Sequence, residues 1–244
     1  MKRKMTIIWL IPVLGLAAAG LRSLLLLNVD ERGLVPSGHP IGMALLGLTV
    51  LAFALAVVPA LGKQEGDILC GGGKSAALGT ALMVLGLGAT VLTAETDGTL
   101  MLVWKVLGLC SLPALCWAAW CRWQGKKPDF LAYAPVCVFL ILHMITRYRP
   151  WSGNPQWAEY GHELLGMAGL LLFAYQMGAA ALGMENRRVL VMAGLVGSFC
   201  CLAAMPFGYG YLLCLGGAFW MMTECGCLQA APGETNEERK DEHL

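Results

Sequence analysis

Charged side chains are scarce in this chain. Only 14% of its 244 residues are Asp, Glu, Lys or Arg, whereas a soluble domain carries about 25%. That shortage argues against a water-soluble enzyme, and the formal net charge of +1 leaves no basic excess for binding nucleic acid. Intrinsic disorder is excluded as well, because 57% of the residues are hydrophobic. The composition therefore predicts a polytopic membrane protein whose surroundings are the lipid bilayer.

Hydrophobic runs of membrane-spanning length recur along the chain. A helix needs roughly 20 apolar residues to cross about 30 Å of hydrocarbon. Lipid offers no partners to unpaired backbone groups, so each run should be helical. The last run, 189–223, is long enough for two short crossings and is broken by the proline and glycines of 206–210. We therefore predict an all-α bundle of eight transmembrane helices, over 6–27, 41–61, 75–93, 99–121, 130–146, 159–183 and the two parts of 189–223.

These spans should form one transmembrane helical domain, residues 1–228, followed by a polar, disordered cytoplasmic tail over 229–244. Segment 122–129 is predicted to be an inner loop that joins two four-helix halves, 1–121 and 130–228. Ten cysteines are present, but none lies in a predicted outer loop. Cys225 and Cys227 follow Glu224 without the second ligand pair that a structural zinc site needs. We therefore expect no disulfide, no metal and no cofactor.

Lys and Arg residues indicate the orientation, because cytoplasmic loops are enriched in them. With eight spans both termini lie on one side of the membrane, and that side then holds twelve of the 17 Lys and Arg residues. We therefore predict a plasma (cytoplasmic) membrane protein with both termini in the cytoplasm. A second interpretation stays open, because the first residues, with a basic start, an apolar run and three alanines at 17–19, resemble a signal peptide. Its cleavage would leave seven spans.

Ionisable side chains in membrane spans indicate function, because on insertion scales each costs about 2.5–3.5 kcal/mol at the bilayer centre. In the predicted topology, those in or at the rim of the spans share the outer level. We expect them to surround an outward-facing pocket that binds a ligand, and we expect Lys105 to pair with Glu163. The predicted ligand-binding set is Arg22, Lys105, His143, Arg147, Glu159, His162 and Glu163.

The sixth span presents a polar, glycine-lined stripe. Its members recur at steps of three and four residues and should turn inward, toward a cavity or a partner helix; they are Glu159, His162, Glu163, Gly166, Gly169, Phe173 and Gln176. The surrounding stretch, 148–188, resembles uncharacterised multi-pass bacterial integral membrane proteins. The residues that carry this resemblance are Tyr148, Trp151-Ser152, Pro155-Gln156, Tyr160, Ala174-Tyr175 and Arg187-Arg188. The resemblance implies a membrane location and no activity.

Three functions remain open. The first, which we favour, is a transporter or channel-like protein for a small polar or ionic solute. The second is a non-catalytic membrane sensor or assembly partner, in which the charges pair helices. The third is a metal-dependent membrane enzyme, because Phe139 to His143 resembles a fragment of the CAAX-processing intramembrane proteases. The paired-glutamate motif of that family is absent from this sequence, so the chain is not expected to be an enzyme. The sequence does not indicate an oligomeric state.

Overall fold

Eight long helices follow one another along the chain in a computed structural model. It describes residues 2–28, 39–62, 73–95, 98–151, 157–205 and 210–230, apart from the side chains of 2–5, 26, 148–151, 157–160 and 229–230. The described residues contain no strand. The helices are α1 Lys2–Leu26, α2 Pro40–Leu61, α3 Gly73–Thr93, α4 Thr99–Trp123, α5 Ala134–Trp151, α6 Trp157–Ala181, α7 Arg187–Ala204 and α8 Tyr211–Ala230.

All eight helices are long and apolar enough to cross a membrane, which confirms the predicted fold class. Their ends differ from the predicted ones mainly at polar residues. Residues 130–132 form a 3₁₀ turn capped by the Asp129 carboxylate, which accepts a hydrogen bond from Phe130 N at 2.7 Å. Arg122, predicted to lie in an inner loop, belongs to α4 and is buried. The loop prediction was wrong there because a charged residue was taken to end the span.

Helices from the two ends of the chain pack against each other. The most extensive contacts are those of α3 with α8 and of α6 with α7, and α1 packs on α2 and α7. A Cβ atom on Gly86 of α3 would lie only 2.3 Å from the Leu212 carbonyl oxygen of α8. A Cβ atom on Gly169 of α6 would lie 2.6 Å from Gly197 Cα of α7. These glycines therefore allow backbone-to-backbone contact, as small residues do in membrane bundles.

The inner and outer positions of the bundle follow the hydrophobic pattern. α7 is the most buried helix, and α2 is the least buried. The exposed faces of α2, α3 and α4 carry large apolar residues, which lipid would cover; among them are Leu46, Val50, Leu51, Leu85, Leu92, Val103 and Val106. α1 contributes to the core through Ile8 and Ile11, and so it packs as an integral span.

Candidate polar site at one end of the bundle

One end of the bundle, here called the cluster end, gathers most of the polar side chains that the sequence singled out. It holds the C-terminal ends of α1, α3, α5 and α7 and the N-terminal ends of the other four helices. Arg22, near the end of α1, is 1% exposed and donates a hydrogen bond to the carbonyl oxygen of Ala203 at 3.3 Å. Because Ala203 lies in the last turn of α7, the guanidinium also faces the negative end of that helix dipole.

His143 lies at the centre of the cluster end and is 2% exposed. The Trp104 indole N–H of α4 donates a hydrogen bond to its Nδ1 at 3.1 Å. An indole nitrogen is a donor only, so Nδ1 must be an acceptor. The ring contacts of Trp104 and Phe139 hold the imidazole on two further sides, with centroid distances of 5.7 and 5.8 Å. His143 is therefore present as the tautomer that carries its proton on Nε2.

Glu163 of α6 faces His143 and Arg147 of α5. Its Oε1 atom lies 3.9 Å from Nε of Arg147, and the glutamate is 5% exposed whereas the arginine is half-buried. Arg22 also interacts electrostatically with this carboxylate. The buried negative charge is thus compensated by cations from two helices, as charges within membrane spans require.

Nε2 of His143 and Oε1 of Glu163 are both buried without a hydrogen-bond partner among the described residues. Both border Gly210, which precedes α8. A Cβ atom on Gly210 would lie 3.7 Å from Nε2 of His143 and 3.9 Å from Oε1 of Glu163. A Cβ atom here would be in ordinary van der Waals contact with both atoms; because residue 210 is a glycine, it has no side chain at that position.

A cavity of about 340 Å³ lies on the other side of His143, between α3, α4 and α5. We call it the polar cavity, because six of its nine lining residues are Thr, Glu, His or Arg; Glu95, at its rim, is exposed. The lining residues are Thr90, Thr93, Ala94, Glu95, Met101, Trp104, His143, Thr146 and Arg147. A separate, narrow crevice is lined by His143, Arg147 and Glu163. His143 and Arg147 therefore border both the cavity and the crevice that contains Glu163.

The remaining predicted site residues lie elsewhere at this end. His162 Nε2 is 3.1 Å from the Thr49 hydroxyl of α2, which already donates its proton to Leu45 O, so the imidazole is the donor. Lys105 donates to the carbonyl oxygen of Ala94 at 3.1 Å. The predicted pairing of Lys105 with Glu163 was therefore wrong. Glu159 lies in α6, but its side chain is outside the described residues.

The glycine-lined stripe of α6 does turn inward, as predicted, but it faces a helix and not the cavity. Glu163, Gly166, Phe173 and Gln176 are buried, whereas Leu165 and Leu172 on the opposite face are exposed. A Cβ atom on Gly166 would lie 2.9 Å from the backbone nitrogen of Cys201 in α7. The stripe therefore serves the close packing of α6 on α7.

Three features of the structure were not anticipated from the sequence. Trp104 was not among the predicted site residues, and Gly210 was interpreted only as a turn residue. At the opposite end of the bundle, Arg122 of α4 and Glu224 of α8 form an ion pair in which each side chain is 1% exposed. Arg122 donates through Nη2 to Oε2 and through Nε to Oε1, the latter at 3.2 Å. The sequence does contain a signal for this ion pair, because the two opposite charges lie at the ends of two predicted spans, on the same side of the membrane.

No group of three or more His, Cys, Asp or Glu side chains could hold a metal ion among the described residues. Cys227 Sγ lies 3.1 Å from the Ser75 hydroxyl. The structure shows no disulfide between two of the nine described cysteines; Cys70 lies outside the described residues.

Comparison with known proteins does not extend this description: no family model matches the chain, and neither a curated protein nor a solved structure matches it. The chain is a multi-pass membrane protein by its eight apolar helices. Any more specific function has to be argued from the cluster end itself.

Proposed function

We propose that this protein is a transporter or channel-like protein for a small polar or ionic solute, which binds in the cavity at the cluster end. The observation that carries the proposal is that cavity of about 340 Å³, at which six polar or charged residues converge within an apolar bundle. Binding pockets for small molecules measure roughly 300–1,000 Å³, so a cavity at the lower limit suits a small solute. The binding residues are then His143, Arg147 and the threonines of the lining.

The lining favours a solute that carries N–H or O–H donors. Thr90, Thr93 and Thr146 each donate their hydroxyl proton to a carbonyl oxygen of their own helix, at 2.8 Å in each case. Their oxygen atoms therefore keep lone pairs to accept hydrogen bonds from a solute. Glu95 adds a carboxylate and Arg147 adds a cation at the same wall. A small amine or a zwitterion matches that distribution of acceptors and charge.

We propose further that the cluster end faces the outside of the plasma membrane and that both termini are cytoplasmic. The support is the distribution of Lys and Arg along the sequence, twelve of 17 of which fall on the opposite side. The other members of the predicted ligand-binding set, Arg22, Lys105, Glu159 and His162, would then act around the cavity mouth or through Glu163.

Ligand-dependent thermal stabilisation of the purified protein tests the proposal. The probes are methylammonium, glycine, acetate, sodium and potassium. A ligand at one hundred times its Kd stabilises the folded state by about 2.7 kcal/mol, so methylammonium or glycine should raise Tm by several degrees and acetate should not. Thr90→Val should abolish the effect. Thr80→Val is the matched control, because Thr80 is also buried on α3 and bonded to its own helix, but lies outside the cavity.

A specific observation also favours the second candidate, a non-catalytic sensor or assembly partner. The Arg122–Glu224 pair shows that this bundle buries charges for helix pairing, and neither residue lines the polar cavity. If the charges of the cluster end served only to pair helices, none of the probe solutes would raise Tm. Thr90→Val and Thr80→Val would then behave alike.

A further inference from the structure

Two buried polar groups that border Gly210, Nε2 of His143 and Oε1 of Glu163, are complementary as hydrogen-bond donor and acceptor. Nε2 of His143 carries a proton, because Nδ1 accepts the hydrogen bond from Trp104. Oε1 of Glu163 is an acceptor when the carboxyl group is ionised. A buried polar atom without a partner is destabilising, so two of them beside one glycine require an explanation.

A bridging water molecule would satisfy both groups. It could accept the N–H of His143 and donate to the carboxylate of Glu163, and buried waters commonly have two to four such partners. Because residue 210 is a glycine, it has no side chain at the position that borders both atoms. His143 and Arg147 border the polar cavity as well as the crevice of Glu163, so the side chain of His143 lies between the bridge and the cavity.

The charges around Glu163 come from every helix packed near it. α5 contributes Arg147 and His143, and α1 contributes Arg22. On α6, His162 is the preceding residue and is bonded to Thr49. α7 contributes Cys201, which interacts with Glu163 and with Cys214 of α8. Among these described groups, Glu163 is the single carboxylate; the side chain of Glu159, one turn earlier, lies outside the described residues.

We propose that Glu163 is a reversible proton-binding site, filled from the polar cavity through a water molecule held between His143 and Glu163 at Gly210. A hydronium ion in the cavity gives its proton to this water, and the water passes one of its own protons to Oε1, which forms the neutral carboxylic acid. Release follows the reverse order. Protonation removes the negative charge that faces Arg147 and so loosens the contact of α5 with α6. This inference rests on the proposed function, in which that proton would be the coupling ion.

Infrared difference spectra of the purified, detergent-solubilised protein between high and low pH test the site without any solute. The wild type should show the carbonyl band of a buried carboxylic acid that titrates with pH, and Glu163→Gln should lose it. The Gln variant is needed because Glu224 is a second buried carboxylate. Gly210→Ala should expel the water without a clash, since its Cβ distances are ordinary contacts. It should move the titration midpoint of the band by about one pH unit, a tenfold change in proton affinity.

Gly226→Ala is the matched control, because a Cβ atom on that glycine of α8 meets nothing within 4 Å. A pH-dependent band of the same amplitude in the wild type and in Glu163→Gln would overturn the proton site, because Glu163 would then contribute nothing to it. So would a midpoint in Gly210→Ala equal to that in Gly226→Ala, a test that holds even if Glu163→Gln fails to fold. A titrating Glu163 in a protein that no probe stabilises would overturn the proposed function alone. Stabilisation by methylammonium or glycine that is independent of pH and unchanged in Glu163→Gln would overturn the coupling.

Discussion

Removing one partner of the Arg122–Glu224 pair should be far more destabilising than removing both. The pair has fork geometry, with two separate N–H donors on two carboxylate oxygens, and each side chain is 1% exposed. Glu224→Gln or Arg122→Met alone leaves a buried charge without its counter-charge, which costs about 3–5 kcal/mol. If the two effects were independent, the double variant would lose about 6–10 kcal/mol, the sum of the two. We expect the double variant Arg122→Met with Glu224→Met to lose much less than this sum.

The assay is reversible denaturation in mixed detergent micelles, followed by tryptophan fluorescence. The partly exposed pair of Arg187 and Glu185, with Nε 3.5 Å from Oε1 and side chains 30% and 14% exposed, is the internal control. Solvent-accessible ion pairs contribute about 0–1 kcal/mol, so its single variants should cost far less than those of the buried pair. Equal effects of the single variants of the two pairs would contradict this prediction. A double variant as unstable as the sum would show that each residue acts through other neighbours.

Three further predictions follow from the packing and topology. Gly86→Ala should destabilise the protein by about 1–3 kcal/mol through overpacking against α8. Gly47→Ala, whose Cβ meets nothing within 4 Å, should be neutral or slightly stabilising. Equal unfolding temperatures of the two variants would contradict the α3–α8 contact. A cysteine placed at Asn154 should react with a membrane-impermeant maleimide in whole cells, above the background of the unmodified protein, and one at Lys126 should not. The reverse pattern would show that the orientation in the membrane is opposite to the predicted one. A thiol count on protein denatured without reductant should approach ten, and a stable loss of two thiols would reveal a disulfide.

The fold was predictable because its signal is local. Runs of apolar residues of membrane-spanning length, separated by prolines, glycines and charges, require helices irrespective of how they pack. Helix ends were less predictable, because a charged residue at the end of a span can leave the membrane or be neutralised within it. Arg122 takes the second course, since Glu224 of α8 provides the counter-charge. That partner lies 102 residues away in the sequence.

The candidate site was predictable only in part, because sequence gives the depth of a residue but not its neighbours. His143, Arg147 and Glu163 were expected at one level, and they do lie together. On α4, the prediction placed Lys105 in the site, but the residue that contacts it is the preceding one, Trp104. Successive residues on a helix point about 100° apart, so Trp104 turns toward His143 of α5 whereas Lys105 turns toward the end of α3. That choice depends on the order in which the helices pack.

Solute flux into proteoliposomes is the most direct test of the claim that the cavity serves transport. The assay measures uptake of isotopically labelled methylammonium or glycine, whichever stabilises the protein, with empty liposomes as the blank. We expect uptake by the wild type and by Thr80→Val, and a strong loss in Thr90→Val, which removes an acceptor oxygen from the cavity wall. Uptake in Thr90→Val equal to that of the wild type, or no uptake above empty liposomes by a correctly folded wild type, would contradict it.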